Sequence, residues 1–126
     1  MYEKLTKYIP VLEKKLYSGK CVGLSGYEYN SYVEHLRDDI YDFSSPRKNY
    51  YEILKKAGID AGNYEQIDVS KLNGEIVYAL IFTIVLREKF DSGLILKFCE
   101  NGCFLKWLKR LKEIDGDQNG NHGVSK

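Results

Sequence analysis

The densest run of oxygen donors in this chain is Asp115-Gly116-Asp117-Gln118-Asn119-Gly120, which reproduces the first six positions of an EF-hand calcium loop. The loop's twelfth position calls for a bidentate glutamate. Here that position is Lys126, whose ammonium opposes a cation instead of coordinating it. Calcium binding is therefore not expected, and residues 115–126, with Val124 as their one aliphatic, read as a flexible tail. Cys99 and Cys103 stand four apart and could share a metal, but zinc wants four ligands, and only Cys21, His35 and His122 remain as further nitrogen or sulfur donors. The expected role of the two thiols is that of small buried hydrophobes. A Cys-His dyad would require His35 to reach Cys103 across the fold.

Two further groups carry charge at helical spacing. Glu34 with Asp38, and His35 with Asp39, lie one turn apart and could seat a divalent cation or an acid and base pair, although a solvated helix face requires the same residue types. Lys106, Lys109, Arg110 and Lys112, with Trp107 at their boundary, make the strongest local basic patch and could meet phosphates. Against this, Trp107 shares its spacing with Phe104, Leu108 and Leu111, which marks it as core and not as a base-stacking platform. No phosphate-binding loop is present, since Gly23 and Gly26 lack a Gly-Lys-Ser/Thr ending. No catalytic residue, metal ligand or cofactor is assigned.

The elements that must position these groups read as helices. Leu5, Tyr8, Ile9, Leu12 and Leu16 define an amphipathic helix over 2–17, with a kink or break at Ile9-Pro10. The glycine-rich stretch 18–30 reads as loop, its run Cys21-Val22-Gly23-Leu24 being too short for more than an edge strand. Ser31 and Glu34 form a capping box that opens a helix carrying Val33, Leu36, Ile40 and Phe43 as far as Ser44-Ser45-Pro46. A helix over 47–57, buried through some of Tyr50, Tyr51, Ile53 and Leu54, ends at Gly58. Asp68 or Ser70 then caps a segment, Leu72 to Phe90, that is apolar on nearly every face between Ile76 and Leu86 and must be surrounded. Leu94 to Cys99 reads as a short helix closed at Asn101-Gly102, with a hairpin as the competing reading. The last helix carries Phe104, Leu105, Trp107, Leu108, Leu111 and Ile114 on one side.

Composition narrows the class. With 126 residues the chain suits one domain, and 19 basic against 18 acidic residues leave no global field to recruit nucleic acid or anionic membrane. The longest apolar stretch, residues 76–86, spans about 16 Å as a helix, against about 30 Å for a bilayer core. Three cysteines and the absence of an apolar core after Met1 fit a reducing cytoplasm better than export.

Several of these runs together resemble a family of small bacterial proteins catalogued only as a domain of unknown function. They are Tyr8-Ile9-Pro10, Tyr50-Tyr51-Glu52-Ile53-Leu54 with Gly58-Ile59, Asp68-Val69-Ser70-Lys71-Leu72, Ala79-Leu80-Ile81, Arg87 to Gly93 and Leu105 to Ile114. The segment from Arg87 to Ile114 carries most of the resemblance. A longer aromatic stretch between the first two helices, and an arginine near Leu86, would complete the family pattern. The resemblance implies a bacterial or phage origin and no particular activity.

The expected architecture is all-α: a bundle of five or six helices around the buried one, over residues 1–114. The expected function is a small non-enzymatic binding or interaction protein, a regulator or inhibitor that engages a protein partner, a second copy of itself or a small ligand. Tyrosine is enriched, eleven in the chain, and Tyr32, Tyr41, Tyr50 and Tyr51 are the candidate contact residues, because an aromatic with a polar tip suits an interface. Two alternatives stand beside it. One is an enzyme or nucleotide binder with a pocket near Arg87 and Glu88, where the apolar helix emerges into charge. The other is nucleic-acid contact through Lys106, Lys109 and Arg110.

Overall fold

The structure is a computed structural model that describes residues 1–124, with the side chains of 25, 61 and 118–124 left aside. The described residues fold mainly as helices, with one small β-hairpin among them. The expected first helix is two, α1 (Glu3–Thr6) and α2 (Ile9–Glu13). Pro10 sits in the first turn of α2, where its missing N–H needs no partner, so the break falls before it at Lys7-Tyr8. Lys15 takes φ 55°, and the Leu16 amide reaches back to the Val11 carbonyl at 3.0 Å, which closes α2 well short of Tyr17.

The glycine-rich stretch is not simply a loop. Strands β1 (Gly19–Cys21) and β2 (Tyr27–Tyr29) pair antiparallel, Lys20 opposite Glu28, around a short 3-10 turn at Gly23–Ser25. Tyr27 and Tyr29 point inward while Glu28 faces out, the period-two pattern of a half-buried strand compressed into three residues. Gly19 makes this possible, because a Cβ there would lie 2.5 Å from the ring of Tyr29.

Helices α3 (Ser31–Phe43), α4 (Tyr50–Lys56) and α5 (Gly74–Arg87) are each capped by an asparagine. The side chains of Asn30, Asn49 and Asn73 accept from the amides of Val33, Glu52 and Ile76. The Ser31/Glu34 capping box is thus replaced, since Asn30 both caps α3 and donates to the Leu16 carbonyl at 2.7 Å, tying the hairpin's base to the helix. Asp68, expected as a cap of the buried helix, instead accepts from Ser70 in a separate 3-10 turn at Val69–Lys71.

Helix α5 is the centre of the molecule, packed by α3, α4, α6 (Leu94–Glu100) and α7 (Cys103–Val124). Leu80 and Ile84 are both 0 % exposed. The buried segment is shorter than the apolar run, however. Leu86 is exposed and Phe90 projects into solvent at 91 %. Segment 94–100 is a helix and not a hairpin strand; Gly93, at φ 91°, precedes it. Two aromatic groups fill the core. Tyr2, Phe43, Tyr50, Tyr78 and Phe82 pack in one, with Tyr2 lying directly over Gly74, and Phe98, Phe104 and Trp107 pack in the other. Helix α7 does not stop at Ile114: Asp115 belongs to it, is buried, and accepts the Tyr2 amide at 2.8 Å. The stretch expected as a flexible tail thus continues α7 as far as Val124, while its side chains from residue 118, and residues 125–126 altogether, lie outside the described residues.

Candidate functional site

Glu88 follows α5 directly, where the last turn brings it over the start of α6. Its carboxylate accepts three hydrogen bonds, from the Tyr29 hydroxyl at 2.9 Å and from the amides of Gly93 and Ile95, each at 2.8 Å. It thereby satisfies orphan donors at the N-terminus of α6 and fastens the hairpin to the helical core. Burial, together with this carboxylate, holds the Tyr29 phenol well above its ordinary value, so the hydroxyl remains a donor. Glu88 is thus committed to structure.

Arg87, its neighbour, is not. It is exposed at the last turn of α5 and lines a cavity of about 200 Å³ with Tyr64, Glu65, Asp91 and Lys97. Lys97 and Glu65 pair at 3.2 Å on one wall.

The basic face of α7 is largely spent inside the protein. Arg110 donates from Nε and Nη2 to the Leu72 carbonyl at 3.1 and 3.0 Å. Lys106 donates to the Ile67 carbonyl at 3.2 Å, and Lys109 pairs with Glu13 at 3.4 Å. Lys106 and Arg110 thus hold the chain leading into α5 against α7, along a groove of about 420 Å³ lined by Val69 and Leu105, and Lys109 ties α7 to α2.

The four candidate tyrosines do not form one exposed patch. Tyr50 is buried, its ring against Tyr78 and Phe82 and its oxygen accepting from the Ser45 amide at 2.9 Å. Tyr41 is half-buried, edge-on to Phe82 at 5.9 Å. Tyr32 is exposed on α3, and Tyr51, at 65 % exposure, stands on α4 beside a shallow cavity. The sequence could not separate these roles because adjacent tyrosines on a short helix differ only in which face meets a neighbour.

The remaining motifs resolve as structure. Burial pushes the Cys99 thiol up to about 12, and Cys103 is buried too, its thiol 3.9 Å from the Glu65 carbonyl. Among the described residues no group of three or more His, Cys, Asp or Glu side chains is placed to hold a metal. Asp39 accepts from the Tyr8 hydroxyl at 2.5 Å and from Lys7 at 3.2 Å, which ties α3 to the N-terminal helices. Asp115, the first position of the calcium-loop pattern, lies inside α7.

What the sequence reading missed is an apolar face. Leu24 is fully exposed at the tip of the hairpin, held out between Gly23 and Gly26 at φ 73° and 87°, with Val22 beside it. Phe90 and Leu86 are exposed at the corner between α5 and α6. The two turns adjoin: a Cβ on Gly26 would lie 3.1 Å from the Ser92 hydroxyl, and one on Gly93 would meet the ring of Tyr27. Comparison of the chain with protein-family models, with curated proteins and with solved structures found no match.

Proposed function

We propose that this chain is a small non-enzymatic interaction protein of bacterial or phage origin, which acts by covering a partner protein with the face formed by its hairpin tip and the α5–α6 corner. Leu24 carries the reading. A fully exposed leucine between two positive-φ glycines, on a turn that adjoins the one carrying an exposed phenylalanine, contributes nothing to the core and offers apolar surface that a partner would bury. Leucine and phenylalanine on adjoining turns supply the apolar centre of a contact, and Lys20, Glu28 and Lys89 supply a charged rim. The bacterial or phage origin follows from the family resemblance of residues 87–114. On this reading Tyr32 and Tyr51 are solvated surface, and Lys106, Lys109 and Arg110 are internal braces.

Affinity capture from the source cell, with the native chain and a Leu24→Asp, Phe90→Asp variant compared by mass spectrometry, tests it. The native chain is expected to retain a protein that the variant loses, with the circular dichroism of the two unchanged. Equal capture by both chains would place the contact elsewhere, and a sedimentation shift of the native chain alone would make the partner a second copy.

A further inference from the structure

The cavity at the end of α5 has a charge arrangement that points to its ligand. Arg87 and Asp91 are four residues apart, and the Asp91 amide still bonds to the Arg87 carbonyl at 2.9 Å, a spacing at which arginine and aspartate commonly pair. Both line the cavity, yet no salt bridge joins them, and neither is paired elsewhere among the described residues. The other two charges on the wall, Glu65 and Lys97, neutralise each other. One unpaired cation and one unpaired anion therefore face a shared space. Tyr64 lines the same cavity, its ring buried and its hydroxyl without a hydrogen-bond partner among the described residues, and Ile84 and Phe98, both buried, line it too.

We propose that this cavity binds a small zwitterion of the α-amino-acid type, carboxylate on Arg87 and ammonium on Asp91. The guanidinium fork matches a carboxylate in two parallel hydrogen bonds, and the Asp91 carboxylate accepts from an ammonium. The Tyr64 hydroxyl, which burial keeps protonated, adds a neutral polar group to the same lining. The lining is mainly polar, which favours an amino acid whose Cα substituent is small or polar. Size decides against a nucleotide: the volume of about 200 Å³ falls below the range of about 300 to 1,000 Å³ in which larger ligands bind. The site is separate from the apolar face and does not depend on it.

Isothermal titration calorimetry of the full chain against each of the twenty amino acids, with acetate and methylamine as single-charge probes, tests the assignment. At least one amino acid is expected to bind, and acetate or methylamine alone to bind at least about tenfold more weakly, since each lacks one charge-assisted contact. Arg87→Gln and Asp91→Asn should each weaken the amino acid by a similar factor, whereas Leu24→Asp should leave it unchanged. Both side chains are exposed, so the variants should unfold at the native temperature, which a thermal melt checks. No heat from any amino acid at millimolar concentration would overturn the proposal. So would acetate binding as tightly as the amino acid, or binding indifferent to both substitutions.

Discussion

Glu88 shows how a residue that looks like chemistry can be architecture. As an acidic group at the end of an apolar helix it has the profile of a functional carboxylate, but its oxygens are filled by Tyr29, Gly93 and Ile95. Removing it would leave two partly buried amides unpaired and release the hairpin. Glu88→Ala is expected to cost about 1 to 3 kcal/mol in urea unfolding, the penalty for orphaned donors, while Glu88→Gln, which keeps one acceptor, should cost less. A loss from Glu88→Ala below about 0.5 kcal/mol, the range of ordinary surface changes, would show that the three bonds are not holding the corner. The sequence marked Arg87 and Glu88 together because both sit where apolar residues end. It could not divide their roles, because Tyr29 lies 59 positions away and only the fold brings it near. Leu24 and Phe90 were illegible for the opposite reason: leucine and phenylalanine read as core unless a structure shows what they fail to touch.

At the scale of elements, legibility followed the length of the pattern. Helices α3 to α7 each carry an apolar stripe or, in α5, an apolar surface all round, and several spacings in agreement leave few alternatives. The hairpin offers three residues per strand, fewer than an alternation needs to be recognised, and its glycines argue against a strand until Tyr29 is seen lying on Gly19. Caps were misread for a local reason, since Asn30 and Ser31 are both good capping residues and the choice rests on the Leu16 carbonyl that only Asn30 reaches. The end of α7 is where this matters most. Asp115 binds the Tyr2 amide across the molecule, so Asp115→Ala is expected to destabilise by about 1 to 3 kcal/mol through the unpaired buried N–H. A chain cut after Asp117 should unfold at the same denaturant concentration as the full chain, and one cut before Asp115 earlier. Equal midpoints for both truncations would show that the Tyr2 to Asp115 bond carries no stability.

The whole molecule is a helical fold in which many charges brace the chain and four exposed apolar residues, Val22, Leu24, Leu86 and Phe90, lie at the adjoining hairpin and α5–α6 turns. Among the described residues no helix is long and apolar enough to cross a membrane. Of the groups suited to phosphate, metal or acid and base roles, Asp39, Lys106, Lys109 and Arg110 brace the fold and Cys99 and Cys103 fill the core, while Glu34, His35 and Asp38 lie on the solvated face of α3. What is left free is the Leu24 and Phe90 face and, beside it in the chain, the small charged cavity at Arg87. A photo-crosslinking amino acid placed at position 24, and separately at position 51, tests the central claim most directly, because both sites are exposed and only the first belongs to the proposed contact face. Irradiation in the source cell is expected to give a discrete protein adduct from position 24 and none from position 51. An adduct from position 51 with none from position 24 would contradict the assignment and return the contact to the tyrosine surface of α4.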